Sequence, residues 1–232
     1  MEQPSHGDVR RGSLKLVAVA LGDASFRPMS RTNDNTEITA LLAGIPQRAD
    51  ALGQPAAPVT LAYFADLQCP YCRDFSLEVL PSIIERWVRS GKLRIESHAL
   101  QAATQDPAVF MAQQVAALAA GRQERAWHFT EIFYAQQGEE NSGYVTDTYL
   151  HGIARQVTGL DLARWGNDRR YPELANEIAG DARTAENAGL TGTPSFLIGG
   201  SGDTMSGFSR TDPRSFDLAI EELLNEATRH PQ

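Results

Sequence analysis

Two hydrophobic rhythms divide this chain. Val59 to Phe64 is a short apolar run with β-branched residues, the pattern of a buried strand. It leads straight into Asp66-Leu67-Gln68-Cys69-Pro70-Tyr71-Cys72. From Pro70 onward Phe75, Val79, Ile83 and Trp87 recur every four residues, which predicts one buried helix face with Gly91 as the stop. Leu93-x-Ile95 predicts a second strand and completes a β-α-β unit. Upstream, Asn33-Asp34-Asn35 can cap a short helix from about Thr36 to Ala43, and Gly53 to Pro58 reads as a linker.

The stretch from Thr104 to Ala188 keeps only the helical rhythm. Asp106-Pro107 opens an alanine-rich helix that stops at Gly121. A second helix carries Trp127, Phe129, Phe133 and Tyr134, and further helices are predicted from Asp147 to Val157 and from Pro172 to Ala188. The aromatic residues Trp127, Phe129 and Phe133 could line a peptide groove, but packing among these helices is the stronger expectation. Strand patterning returns at Thr193-Pro194-Ser195-Phe196-Leu197-Ile198, with Met205 to Phe208 as a hairpin partner. Asp212-Pro213 then opens a final helix striped with Phe216, Ile220, Leu223 and Leu224.

Composition narrows the class. The chain has 232 residues, 42% of them apolar, enough for the core of one large domain or of a domain with a sizeable insertion. Its net charge of −8 argues against nucleic acid as a partner, because phosphate binding needs a basic face. Between Thr104 and Ala188 there are 7 Arg and no Lys against 12 acidic residues, so most of that charge sits in the helical stretch. No apolar run exceeds six residues, far short of the ~20 a transmembrane helix needs. Arg10-Arg11-Gly12-Ser13-Leu14-Lys15, followed by Leu16 to Leu21, has the layout of an export signal, and Ala18-x-Ala20 has cleavage-site spacing. Six apolar residues fall below the usual ~7–15, so a short strand or tail competes with that reading.

Cys69 and Cys72 are the only cysteines, which excludes a disulfide-stapled scaffold. A strand-to-helix junction puts the first sulfur at the helix start, where unpaired N–H groups and the helix dipole favour negative charge. The Cys69 thiolate is therefore expected to form below the ~8.5 of free cysteine. Pro70 suits the first helical turn, having no N–H to lose. Cys72, one turn on, can close a disulfide with Cys69, which makes Cys69 the attacking thiolate and Cys72 the resolving thiol. Two other readings exist for the pair. As half of a zinc site it lacks a second half, and as inert core thiols it would not need the helix-start setting.

The run Phe64-Ala65-Asp66-Leu67-Gln68-Cys69-Pro70-Tyr71-Cys72, together with Gly192-Thr193-Pro194-Ser195-Phe196, resembles the DsbA-like branch of the thioredoxin superfamily. That branch contains bacterial thiol-disulfide oxidoreductases with a helical insertion, and the resemblance covers roughly residues 52–228. It implies an α/β thioredoxin-like fold, with residues 58–103 and 189–232 as one discontinuous domain. Residues 104–188 would be a helical insertion between the β-α-β unit and the cis-proline strand, and residues 1–57 an N-terminal segment. The resemblance also implies a cis Thr193–Pro194 bond beside the dithiol, with Pro70, Tyr71, Thr193 and Pro194 binding or supporting substrate. No cofactor is implied beyond a redox-active Cys69–Cys72 disulfide, and no metal. The implied partners are protein or peptide thiols and a redox protein that recycles the dithiol, in an exported or cell-envelope setting.

One position departs from the pattern. Many relatives carry a buried Glu or Asp six residues before the first cysteine, where this chain has Tyr63. A phenol stays protonated at neutral pH, so Tyr63 cannot supply the base of a carboxylate. Tyr63 and Asp66 are the two candidate positions for proton transfer. Asp66 would lie on the opposite strand face if the strand continued that far. Proton transfer to Cys72 is accordingly expected to run through water or another carboxylate, with Tyr63 as strand packing. His98 reads as a satisfied surface or core histidine. An oxidant that exchanges disulfides with proteins is the leading expectation; a glutathione-linked transferase or isomerase and a non-catalytic binding module are the competing ones.

Overall fold

The computed structural model describes residues 35–200, 205–208 and 211–229. The export-signal reading, on residues 10–21, lies outside them. A short helix α1 (Asn35–Leu42) leads into two strands of two residues each, β1 (Gln47–Arg48) and β2 (Ala51–Leu52). β3 (Val59–Ala65) follows, then a helix over 70–88 (α2), β4 (Leu93–Ala99), and five helices in succession. These are α3 (Pro107–Gly121), α4 (Ala126–Ala135), α5 (Asp147–Ala154), α6 (Leu162–Asp168) and α7 (Pro172–Asn187). β5 (Ser195–Gly200), β6 (Ser206–Phe208) and α8 (Pro213–Arg229) complete the fold.

The strands form one sheet in the order β1-β2-β4-β3-β5-β6. β3 and β4 pair in parallel, and the remaining neighbours are antiparallel. This is the expected α/β architecture with helices inserted between the β-α-β unit and the strand after Pro194. The sheet also extends upstream of residue 58: β2 pairs with β4, placing Leu52 opposite Ile95. The turn after β2 passes hard against β4, where a Cβ on Gly53 (φ +114°) would meet the Leu93 carbonyl at 2.8 Å. Gly53 therefore serves a close backbone approach, and the expected linker begins on it.

β3 is the central strand and is buried on both faces, so it reads as a continuous apolar run rather than an alternation. Tyr63 opposes Phe196 on β5 in register, and the two rings stack at 5.4 Å. Phe75 from α2 and Phe216 from α8 close over Phe196 at 4.8 and 5.1 Å. On the other face Ala62, Phe64 and Leu197 pack with Ala185 of α7.

Helix α2 explains the four-residue repeat. On an α-helix such a repeat overshoots by about 40° per step. Here α-helical Pro70–Asp74 and Leu80–Ile83 alternate with π-helical Phe75–Val79 and Ile84–Val88. Each π turn holds one extra residue and takes up the drift. The distortion also accommodates Pro81, which lacks an N–H. Gly91 (φ +72°) ends the segment as expected.

Trp127, Phe129 and Phe133 are buried among the inserted helices, as the packing expectation held. Two elements differ from expectation: the third inserted helix ends at Ala154 rather than Val157, and α6 had no counterpart in the sequence reading.

Removing the Phe216 ring should leave a cavity under β3 and β5. Phe216→Ala is expected to cost about 3–5 kcal/mol in urea unfolding of the reduced protein.

Candidate active site

Cys69 is the N-cap residue of α2, with extended backbone (φ −69°, ψ 119°) and Pro70 in the first helical position. Its thiol donates to the Thr193 carbonyl at 3.3 Å, and the Thr193–Pro194 peptide bond is cis. Both cysteines are free thiols. Cys69 titrates at about 6, well below an ordinary thiol. The main cause is a hydrogen bond from the Cys72 thiol; burial opposes it, while the Thr193 side chain and the N–H groups of Cys72 and Tyr71 assist. Those N–H groups act without a capping hydrogen bond of ordinary geometry.

Cys72 is the opposite case. It is fully buried, and burial together with the neighbouring Cys69 pushes its thiol well above the ordinary value. The two sulfurs thus divide their tasks, one poised to ionise and one kept protonated. Tyr71 between them is 72% exposed and offers an aromatic surface beside the thiols.

Tyr63 sits beneath this pair. Its hydroxyl donates to the Cys72 carbonyl at 3.4 Å, its ring stacks on Phe196, and burial keeps the phenol protonated. That is the packing role expected for it, with one hydrogen bond.

Asp66 has a different place. β3 ends at Ala65, so the strand-face rule does not reach it, and its buried carboxylate is fully engaged. It accepts hydrogen bonds from the N–H groups of Gln68, Ala102, Ala103 and Thr104, from the Thr104 hydroxyl at 2.6 Å and from the Gln113 amide at 3.0 Å. A carboxylate so occupied ties the loop after β4 to the loop that presents Cys69.

The inserted helices hold that loop from the other side. The Gln137 side chain donates to the carbonyls of Leu67 (2.7 Å) and Cys69 (3.1 Å), and Gln68 pairs with Thr104 and Asn141. Tyr134 donates to the Asp66 carbonyl at 3.4 Å. Glu131, 1% exposed, accepts from the Ser76 hydroxyl at 2.6 Å, and burial pushes its carboxyl up to about 8. Sequence reasoning missed Glu131, Ser76, Tyr134 and Gln137. The available signal was a lone carboxylate flanked by Trp127, Phe129, Ile132, Phe133 and Tyr134.

His98 lies away from the dithiol, bonded to Asp181 of α7 at 2.7 Å and stacked on Phe64. It is a satisfied histidine that fastens α7 to β4.

Iodoacetamide should label Cys69 with a rate that rises through pH about 6 and levels off above it, leaving Cys72 unmodified; comparable labelling of Cys72 would contradict the assignment. Asp66→Ala strands several buried N–H donors and should cost at least about 3 kcal/mol in chemical unfolding.

A family model described as thioredoxin matches residues 47–206. The probable disulfide bond formation protein D of Bacillus anthracis is 24% identical over 151 residues, covering 65% of this chain and 69% of that protein. The Na(+)/H(+) antiporter NhaA 1 of Mycolicibacterium gilvum is 31% identical over 211 residues, covering 86% of this chain and 32% of that protein. Alpha-DsbA1 of Wolbachia pipientis, a solved structure, superposes with a TM-score of 0.65 at 21% identity, covering 81% of this chain and 94% of its own. With the family model spanning more than half of its length, and with this sheet order and helical segment, the chain belongs to the thioredoxin family and has the fold of the DsbA-type proteins.

Proposed function

We propose that this protein is a thiol-disulfide oxidoreductase that oxidises protein or peptide dithiols through Cys69 and Cys72. The observation that carries the reading is the asymmetry of the two thiols, one held at about 6 and the other pushed up by burial. In the oxidised enzyme a substrate thiolate attacks the Cys69 sulfur. The Cys69–Cys72 bond breaks, its electron pair stays on Cys72, and a mixed disulfide joins substrate to Cys69. A second substrate thiolate then attacks the substrate sulfur of that bond and releases Cys69 as a thiolate. The substrate leaves as a disulfide, two electrons remain on the enzyme, and a recycling redox protein must accept them.

A Cys69 thiolate that is stable at neutral pH favours the dithiol form over the disulfide, which makes the disulfide an oxidant. Thr193 supports the same reading, since its carbonyl beside Cys69 offers an edge on which an extended substrate backbone can align. The dithiol is the redox centre and requires no further cofactor. The naming of relatives for disulfide bond formation favours an exported or cell-envelope setting, where disulfides persist. A glutathione-linked transferase would not need the second, buried thiol.

Cys72→Ser should accumulate mixed disulfides with substrate proteins, and Cys69→Ser should abolish exchange. Equilibration against glutathione should return a two-electron couple toward the oxidising end of about −270 to −120 mV. A Cys69→Ser protein that still oxidises dithiols, or a potential near the reducing end, would overturn the reading.

A further inference from the structure

The loop after α4 is fastened to the loop that presents Cys69 at two points. Gln137 gives its side-chain amide to the carbonyls of Leu67 at 2.7 Å and Cys69 at 3.1 Å. Asn141 gives its backbone N–H to the Gln68 side chain at 3.0 Å, and its own side chain takes the Gln105 N–H and donates to the Ala103 carbonyl. The Ser142 N–H closes a turn on the Glu139 carbonyl at 3.2 Å, with Asn141 in the left-handed conformation (φ +57°) that asparagine tolerates.

Only Gly138, Glu139 and Glu140 lie between these anchors. Each glutamate is at most two residues from an anchor, so its Cα stays within about 8 Å of an anchoring Cα. Both are exposed, and the Glu140 carboxylate is held by the Asn141 amide at 3.2 Å. Asp106, exposed and next to Gln105, adds a third carboxylate as it caps α3 through the Ala108 N–H. Cations are scarce on these segments. No lysine or arginine lies between Arg94 and Arg122 or between Arg125 and Arg155, and Arg73 on α2 is paired with Asp74 at 2.9 Å. Beside Cys72, the exposed ring of Tyr71 meets no other ring or cation among the described residues. Carboxylates and an open aromatic face bordering one sulfur are the groups that recognise an ammonium or guanidinium.

We propose that this acidic turn makes the dithiol selective for protein and peptide thiols flanked by lysine or arginine. The inference rests on the oxidoreductase reading and names the substrate class of that same site. The dithiol remains the reacting centre. Glu139, Glu140 and Asp106 border it and act on side chains next to the substrate cysteine, and none of them is among the groups that set the Cys69 thiol. A cation beside the substrate thiol also favours its thiolate, the form that attacks the Cys69 sulfur. One charge on the substrate therefore both docks and activates it.

The test compares two dithiol peptides of equal length, one with lysine and one with glutamate on either side of each cysteine. Each peptide's rate with the oxidised protein is divided by its rate with hydroxyethyl disulfide, a neutral reagent that corrects for the reactivity of the thiol itself. The corrected rates should favour the lysine peptide about ten-fold at low ionic strength, from several weak exposed contacts together. The ratio should fall toward one in molar salt, where screening acts within ~3 Å. Glu139→Lys combined with Glu140→Lys should bring it to one or below. Glu222→Lys combined with Glu226→Lys makes the same change in net charge on α8, beside Gly200, which pairs with Val59 at the opposite end of β3 from Cys69. That variant should keep the preference, and the Cys69 alkylation midpoint should stay near 6 in both.

A wild-type ratio of one, a ratio indifferent to salt, or a preference that survives the change at Glu139 and Glu140 would overturn the selectivity. Equal loss in the two double variants would also overturn it, by reducing the effect to net charge. In each of these cases, oxidation of both peptides still upholds the oxidoreductase reading, whereas oxidation of neither removes both.

Discussion

Two sulfurs three residues apart must hold opposite charge states, and much of the site's architecture follows from that requirement. Ionising one thiol next to another normally makes the second harder to ionise, and burial deepens the difference. The fold widens the split instead of softening it. Cys69 sits at the start of a helix, and the Cys72 thiol itself donates to its sulfur. Cys72 is drawn one turn inward, where a charge would be solvated by nothing but protein. Stabilising the outer thiolate and forbidding the inner one are the same structural act.

Holding Cys69 at that edge requires a fixed loop, and the fixing comes from a buried acid. Asp66 gathers the backbone after β4 around its carboxylate, and Gln113 of α3 joins the same cluster. Gln137 then caps the carbonyls of Leu67 and Cys69 from the far side. The inserted helices are therefore a wall of the site as much as a cover for the sheet. They supply carboxyl and amide groups to a region where the side chains of β3 and α2 are mostly aromatic and aliphatic.

What could be read from the sequence follows the length of each signal. The strand–motif–helix unit, the Thr193-Pro194 strand and the amphipathic α8 each carry several coherent positions, and all three lie where the pattern put them. β1 and β2 hold two residues each, too few to show any period, so Leu52 could not announce its pairing with Ile95. α6 is two turns long and contributes chiefly Trp165, whose single aromatic carries no rhythm. The π turns left a trace in the four-residue repeat, which is visible only once the ideal drift is considered. Asp66 and Glu131 are harder still, because a buried carboxylate is defined by donors 36 and 55 residues away in the chain. Sequence spacing holds no record of such encounters.

The widened turns of α2 also bear on how this helix could change length. Cys72, Ser76, Leu80, Ile84 and Val88 form a straight buried row from the dithiol to the far end of the helix. Each π turn keeps the segments on either side of it in angular step while holding one residue more than an α turn. Deleting one residue from 75–79 or 84–88 would relax that turn to ordinary α geometry and leave both flanks facing as before. The same deletion in an α-helical part would swing everything beyond it by about 100° and carry the sulfur off its row. The helix thus has two built-in seams where its length can vary by a residue, and elsewhere its length is locked to the direction in which Cys72 points.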